Sequence, residues 1–275
     1  MINVRKKLFF TIAREDTEFK DQVTPNPEFL KKVMETGADI FSFHEKSWCF
    51  SFDNTPIPGF YEVKDNVALL DFTTYNDWLA KIINKTHHNP VKRAQNKGLV
   101  VKEVIPDEEF SEGVLEIYND TPIRQNRKFE HYGKKLEDLN LDKSCIFIGA
   151  YFETKLVGFI QLIYGEHENI VSQILSLTEY QNKNINKAMI AKAVEITEKR
   201  DLDDRTIIYG RMGNHPSLDK FKEENGFVKY PIMRYYIPLT FKGRLAIFLS
   251  LHRDLKDIAP KFLIPVYNWF SRRGI

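Results

Sequence analysis

The stretch CIFIGAYFETKLVGFIQLIYGEHENIVSQILSL, Cys145 to Leu177, holds three β-rich runs in succession, and the rest of the chain is read outward from it. CIFIGAYF and LVGFIQLI are dense in branched and aromatic side chains, and Glu153 to Lys155 between them form a hairpin turn. NIVSQILSL is a third strand. Ile185, Met189, Ala193 and Ile196 then recur at helical spacing, so a helix follows. TIIYG (206–210) returns to strand, and HPSLDKFKEEN (215–225) is a short helix with Pro216 at its start and Gly226 just past its end. VKY with MRYYIPL makes a final strand pair. Upstream, LVVKEV (99–104) is a strand, and PDEEFSEGVLEIYND (106–120) is a helix whose early acids suit the helix dipole. A polar stretch, TPIRQNRKFEHYG (121–133), leads from it into a second short helix. From Leu99 to Leu239 the order is β, α, α, β, β, β, α, β, α, β, β.

Before Leu99 the pattern is different. LFFTIA, DIFSF, WCFSF and VALLDF are short apolar clusters separated by TPNP and TPIPG, whose Pro and Gly mark turns, so this region reads as mostly strand. Trp78, Leu79, Ile82 and Ile83 share one face of a helix from about Tyr75 to Thr86. Asn89 and Pro90 cap and start another, which Gly98 closes after KRAQNK. The expected division is a strand-rich region ending in a basic helix (1–97), a mixed α/β domain (98–240) and a basic, apolar helical tail (241–275).

Composition sets limits on function. Lys plus Arg number 40 and Asp plus Glu 38, a balance that provides no general field for nucleic acid or an acidic polymer. Cys49 and Cys145 stand far apart without metal-type spacing, so neither a disulfide scaffold nor a metal site is expected. The N-terminal apolar run is broken by Arg14 and Glu15, short of a signal peptide, and no run reaches the roughly 18 apolar residues of a membrane span. A cytoplasmic protein, at most peripheral to the inner face of a membrane, is the expectation.

The element order from Leu99 to Leu239, closing on NHPSLDKFKEENGF and a strand pair, is similar to the GNAT acyltransferase fold. NPVKRAQNKGLVV and LDKFKEENGF resemble stretches of the Fem-type aminoacyltransferases, which are built from GNAT-like domains. The resemblance implies an α/β (α+β) fold with a mainly antiparallel twisted sheet and flanking helices. It also implies acyl transfer from acetyl-CoA or another acyl-CoA to an amine or sugar-type acceptor, a small molecule, glycan or peptide such as a cell-envelope precursor, with tRNA as partner under the Fem-type alternative. A non-catalytic binding module of the same fold is the third reading.

In GNAT enzymes two parallel strands part and admit the donor's pantetheine arm, and the pyrophosphate sits on the next helix N-terminus. Here the strands are IVSQILSL, ending at Leu177, and TIIYG. The family's phosphate loop, Gln or Arg then two residues, Gly, one residue, Gly or Ala, falls on Gln181 to Asn186, so Asn184 and Asn186 replace glycines. Asn is the side chain that best tolerates positive φ. An Asn-rich helix cap is the plainer reading of the same residues. The cofactor-binding set is therefore Leu177, Gln181, Asn184, Asn186 and Asn214.

For chemistry, Glu179 is the expected base and Tyr180, Tyr209 or solvent the proton donor, since Phe221 and Lys222 stand where the family places its Tyr. Arg124, Gln125, Arg127, His131 and Tyr132 offer forked cations, an amide and an imidazole, suited to a polar or anionic acceptor, with His131 also a catalytic candidate. Arg211, Asn214 and His215 follow a strand end, where ligands bind in α/β sheets. Solvated loops and helix caps are the alternatives. The tail carries seven Lys/Arg against two Asp, with Trp269, Phe270, Arg272 and Arg273 suited to a membrane surface and packed helix as the alternative.

Overall fold

The computed structural model describes residues 2–15, 25–44, 60–124, 127–139, 141–165, 168–200, 205–213 and 215–253, without the side chains at 15, 86, 181 and 182. The chain divides into two compact units: Met1–Asp65 with Ile232–Ile275, and Asn66–Pro231. The first begins with β1 (Ile2–Lys7), β2 (Phe10–Glu15), α1 (Pro27–Glu35) and β3 (Ile40–His44). Next come β4 (Tyr61–Asp71), α2 (Tyr75–Thr86), α3 (Pro90–Gln95), β5 (Leu99–Val104), α4 (Glu108–Asn119) and the two-residue strands β6 (Ile123–Arg124) and β7 (Arg127–Lys128). Then follow β8 (Ile146–Phe152), β9 (Lys155–Tyr164), β10 (Glu168–Ser176), α5 (Ile185–Glu198), β11 (Thr206–Ile208), α6 (Pro216–Glu224), β12 (Val228–Pro238) and α7 (Phe241–Phe248).

The larger unit is a twisted sheet in the order β4-β11-β10-β9-β8-β5, antiparallel except for the parallel β10–β11 pair. Its centre is β9, buried on both faces. Tyr151 pairs with Leu156 and Ala150 with Gly158, so Val157 is an extra residue that switches the faces of the strand. Leu156 meets Gly113 of α4, whereas Gly158 lies under Ile185 and Met189 of α5. Both helices thus press on one strand from opposite sides. The N-termini form as their caps dictate: Thr74, Asn89 and Asp107 accept hydrogen bonds from the N–H groups of Asp77, Lys92 and Phe110. Trp78, Ile82 and Ala94 join this core, and α2 and α3 pack on α5. Residues 66–97 therefore cluster with the larger unit instead of with the N-terminal strands.

In the smaller unit β2 pairs antiparallel with β1 and parallel with β3, which pairs antiparallel with β12. Alternation puts Ala13, Phe41, Phe43 and Tyr235 in one cluster with Val33 of α1, and Phe10, Ile12, Ile40 and Tyr236 in another with Ala246 and Ile247 of α7. Asp65 is buried between the Arg234 guanidinium, 2.8 Å away, and the His44 ring, 3.0 Å away.

Three expectations are corrected. TPNP is not only a turn: Asn26 accepts from the Phe29 N–H at 2.8 Å and Pro27 occupies the first turn, so the same residues begin α1. The short helix expected after the polar stretch is a single 3-10 turn, Leu136–Asp138. The final strand pair is one strand, β12, in which the exposed Pro231 keeps an extended backbone. The WCFSF cluster, Gln125, Asn214 and residues 254–275, with the interfacial segment expected there, lie outside the described residues. No helix of the described residues is long and apolar enough to cross a membrane.

Candidate active site

Strands β10 and β11 pair only through Glu168–Thr206, Asn169–Ile207 and Ile170–Ile208. Beyond Ile170 each follows its other neighbour. On one side, Val171 pairs with Leu162 and Gln173 with Gln161, leaving Ser172 as a bulge, and β10 continues along β9 to Ser176. On the other, Tyr209 donates to the Ala68 carbonyl at 2.9 Å and Ala68 to the Gly210 carbonyl at 2.7 Å, so the chain after β11 stays with β4. A bulge bends and twists its strand, which is the local reason the sheet opens here. A cavity of about 640 Å³ lies against the opened strands, lined by Ile174, Leu175, Ser176 and Tyr209.

The other walls come from three elements. α6 contributes Ser217, Leu218 and Phe221, preceded by His215; the β6–β7 hairpin contributes Arg124, Lys128 and Phe129; α5 contributes Asn186. Asn184 caps α5 at φ +59°, ψ 24°, the left-handed conformation a glycine would adopt, and its side chain makes no capping bond. The first N–H groups of α5 have no acceptor within the helix, the usual basis of an anion site. Among the described residues the buried Oδ1 of Asn186 has no hydrogen-bond partner. At this turn Asn184 thus takes the backbone a glycine would, and Asn186 brings a buried amide oxygen to the start of α5.

Arg124 is held in place from the side away from solvent. Its Nη1 donates to the Ser176 carbonyl at 3.1 Å and its Nη2 to the Ile117 carbonyl at 2.8 Å, while Asp120 lies 3.5 Å away. Burial pulls its pKa down, with Asp120 opposing. Asp120 also accepts from the Thr178 N–H at 3.0 Å, fastening the end of α4 to the end of β10.

His131 does not line the cavity but stacks on Tyr118, with ring centroids 4.6 Å apart. Its Nε2 lies 3.0 Å from Gln173 Nε2, and Gln173 Oε1 accepts from the Tyr118 hydroxyl at 2.7 Å. Because the Gln173 amide donates to it, Nε2 is the bare nitrogen of a neutral ring. Burial, reinforced by Lys134, lowers the His131 pKa in the same sense.

Glu179 and Tyr180 stand on the 3-10 turn Thr178–Lys183, which carries them beyond the cavity lining. Glu179 is 64% exposed, 4.0 Å from Lys155, and Tyr180 stacks on Phe152 beneath the Lys183 ammonium. The buried Leu177 still donates to the Val157 carbonyl at 3.0 Å. Gln181 is described only as backbone of the turn. Arg127 and Tyr132 are exposed on the hairpin and just after it, and Arg211 is half-buried, its carbonyl accepting from Lys222. Of the expected set, Arg124 and Asn186 thus meet in the cavity, joined by His215 and Tyr209.

Lys222 is the residue that sequence reasoning passed over. Within the polar pattern of α6 it reads as solvated, yet it is buried, with Nζ 2.9 Å from the Arg211 carbonyl and 4.4 Å from the Tyr209 ring centroid. Burial brings its pKa down to about 8 against the opposing pull of Asp219. The phenol of Tyr209 is pushed the other way, upward, by its own burial. His215 Nδ1 lies 3.0 Å from Ser217 Oγ, and no carboxylate stands on the described lining.

Residues 111–227 match the model of the Acetyltransferase (GNAT) family. The chain carries a GNAT domain, and the protein is an acyltransferase. Among solved structures, it is similar to the C-terminal domain of a putative lysylphosphatidylglycerol synthetase from Agrobacterium fabrum, at 14% identity and TM-score 0.56, covering 90% of this chain and 83% of that one. L-PGS from Bacillus licheniformis matches at 15% identity and TM-score 0.53, over 90% of this chain and 84% of the other. A conserved protein of unknown function from Bacteroides thetaiotaomicron follows at 12% identity and TM-score 0.52, over 82% and 78%. At these identities the likeness is one of fold. No curated protein matches the chain.

Proposed function

We propose that the parting strands receive an acyl-CoA thioester and that the cavity beside them joins its acyl group to the amine of an anionic acceptor. The observation that carries this reading is the separation of β10 from β11 after Ile170 and Ile208, which leaves backbone groups of β10 facing a cavity instead of a strand. The first turn of α5, entered through the left-handed Asn184, is placed to hold the donor's phosphates. His215, the imidazole of the lining, takes the proton released as the acceptor nitrogen bonds to the acyl carbon. Tyr209 hydrogen-bonds the sulfur as its bond to that carbon breaks. Both roles are assigned from position in the cavity. Lys128, with no carboxylate among the described lining residues, and Arg124, whose Asp120 partner stands 3.5 Å off, line the acceptor end, which favours an acceptor carrying phosphate or carboxylate. A phosphate-bearing lipid, as the name lysylphosphatidylglycerol describes for one of the similar structures, is of that class.

A second reading, aminoacyl transfer from tRNA, is favoured by one feature, the Asn186 side chain where a phosphate loop has none. Calorimetric titration of the full chain with acetyl-CoA separates the two. Saturable binding is expected, and His215→Gln is expected to keep it while slowing thiol release about 10²-fold or more. Absence of binding by every acyl-CoA tried rejects the thioester donor. The tRNA reading then predicts salt-sensitive binding of charged tRNA that weakens when the exposed Lys92, Arg93 and Lys97 become Ala.

A further inference from the structure

Helix α7 is apolar on two opposite sides. Gly243, Ala246 and Ile247 are buried against β2 and β3, whereas Phe241 and Phe248, 80% and 83% exposed, share the other side with Leu245 and Leu249. Lys242 and Arg244 are exposed on either flank of that outer stripe. An apolar stripe left exposed opposite the buried one calls for a partner. The turn between β1 and β2 repeats the pattern. Lys7 pairs with Phe10, so the hairpin loop is two residues, Leu8 and Phe9. Such loops favour Asn and Gly because positive φ is required, yet Leu8 stands there at φ +53° and is 66% exposed. A bulky apolar residue is thus kept in a strained backbone with most of its surface exposed, which points to a role for the tip. Arg5 and Lys6 are exposed beside it.

Lys7 joins the two features, its ammonium donating to the carbonyls of His252 and Arg253 just past α7, at 3.3 and 2.6 Å. No acid occurs in residues 2–13 or 240–253. The neighbouring Asp39 is engaged by the Thr11 N–H and by the hydroxyls of Thr11 and Thr240.

We infer that the Leu8–Phe9 hairpin tip and the outer face of α7 form one docking surface for an anionic lipid bilayer, with apolar side chains entering the interface and Arg5, Lys6, Lys242 and Arg244 meeting the headgroups. Neither feature belongs to the unit that holds the cavity, so the inference stands apart from the donor and acceptor assigned above.

Co-sedimentation of the full chain with phosphatidylcholine vesicles, with and without phosphatidylglycerol, tests it. Binding is expected to the anionic vesicles and to fall as salt is raised. Leu8→Asn and Phe248→Ser are each expected to weaken it about tenfold or more, and Leu8→Asn to leave the melting temperature unchanged or higher, since Asn tolerates this backbone better. Failure to bind anionic vesicles overturns the inference. So does binding unaltered in both variants. A melting temperature lowered by both, without vesicle binding, shows a covered face: light scattering then assigns a second copy if the chain is dimeric, and residues 254–275 if it is monomeric.

Discussion

His252 follows α7 and meets the Tyr236 ring edge-on at 4.6 Å, a burial decided by packing and not by its neighbours along the chain. Burial, aided by Arg253 and Lys7, brings its pKa down to about 4 from 6.5, against a hydrogen bond with the Ala246 backbone. The folded state therefore binds fewer protons than the unfolded chain between these values, and stability rises with pH across that window. Acidification from about pH 6.5 to 4 is expected to lower the urea midpoint, with no further loss from this group below it. His252→Gln should flatten that part of the profile; an unchanged slope would show that the imidazole is not buried as described.

Elements with both a periodic face and a cap were read correctly. α2, α3, α4 and the β8–β9 hairpin fall where spacing and turn residues put them. α1 was hidden because Asn-Pro opens a helix as readily as it makes a turn, and the joining of β12 was hidden by Pro231. What the sequence could not show is how closely α5 approaches β9. A Cβ on Gly158 would stand 2.9 Å from Ile185 Cγ2 and 3.1 Å from both Met189 Cε and the Leu175 carbonyl. Those residues join the first turns of α5 to the strand that borders the cavity, so Gly158 sets where the helix N-terminus lies. Gly158→Val is expected to cost about 1–3 kcal/mol in urea unfolding and to weaken acetyl-CoA binding as well. Stability lost with donor affinity intact would mean that the α5 N-terminus does not hold the phosphates.

At the scale of the molecule the formal charge is only +2, so any anion must be recognised locally, by the cavity wall in one unit and by the basic rims of an apolar surface in the other. Element order, with the closing NHPSLDKFKEENGF stretch, carried the GNAT resemblance, and the family model matches residues 111–227. The site was half legible: Arg124, Asn186, Tyr209 and His215 reach the cavity, whereas Glu179 and Tyr180 are carried past it by a 3-10 turn that periodicity does not reveal. Both outcomes turn on the opening between β10 and β11, where donor and acceptor would meet. Amide hydrogen exchange on the full chain, with and without saturating acetyl-CoA, tests that opening most directly. Slowed exchange is expected in residues 173–177 of the β10 end and 185–187 of the α5 start, with β5 unchanged. Exchange unaltered at both places, or protection confined to other strands, would contradict a donor held between the parted strands.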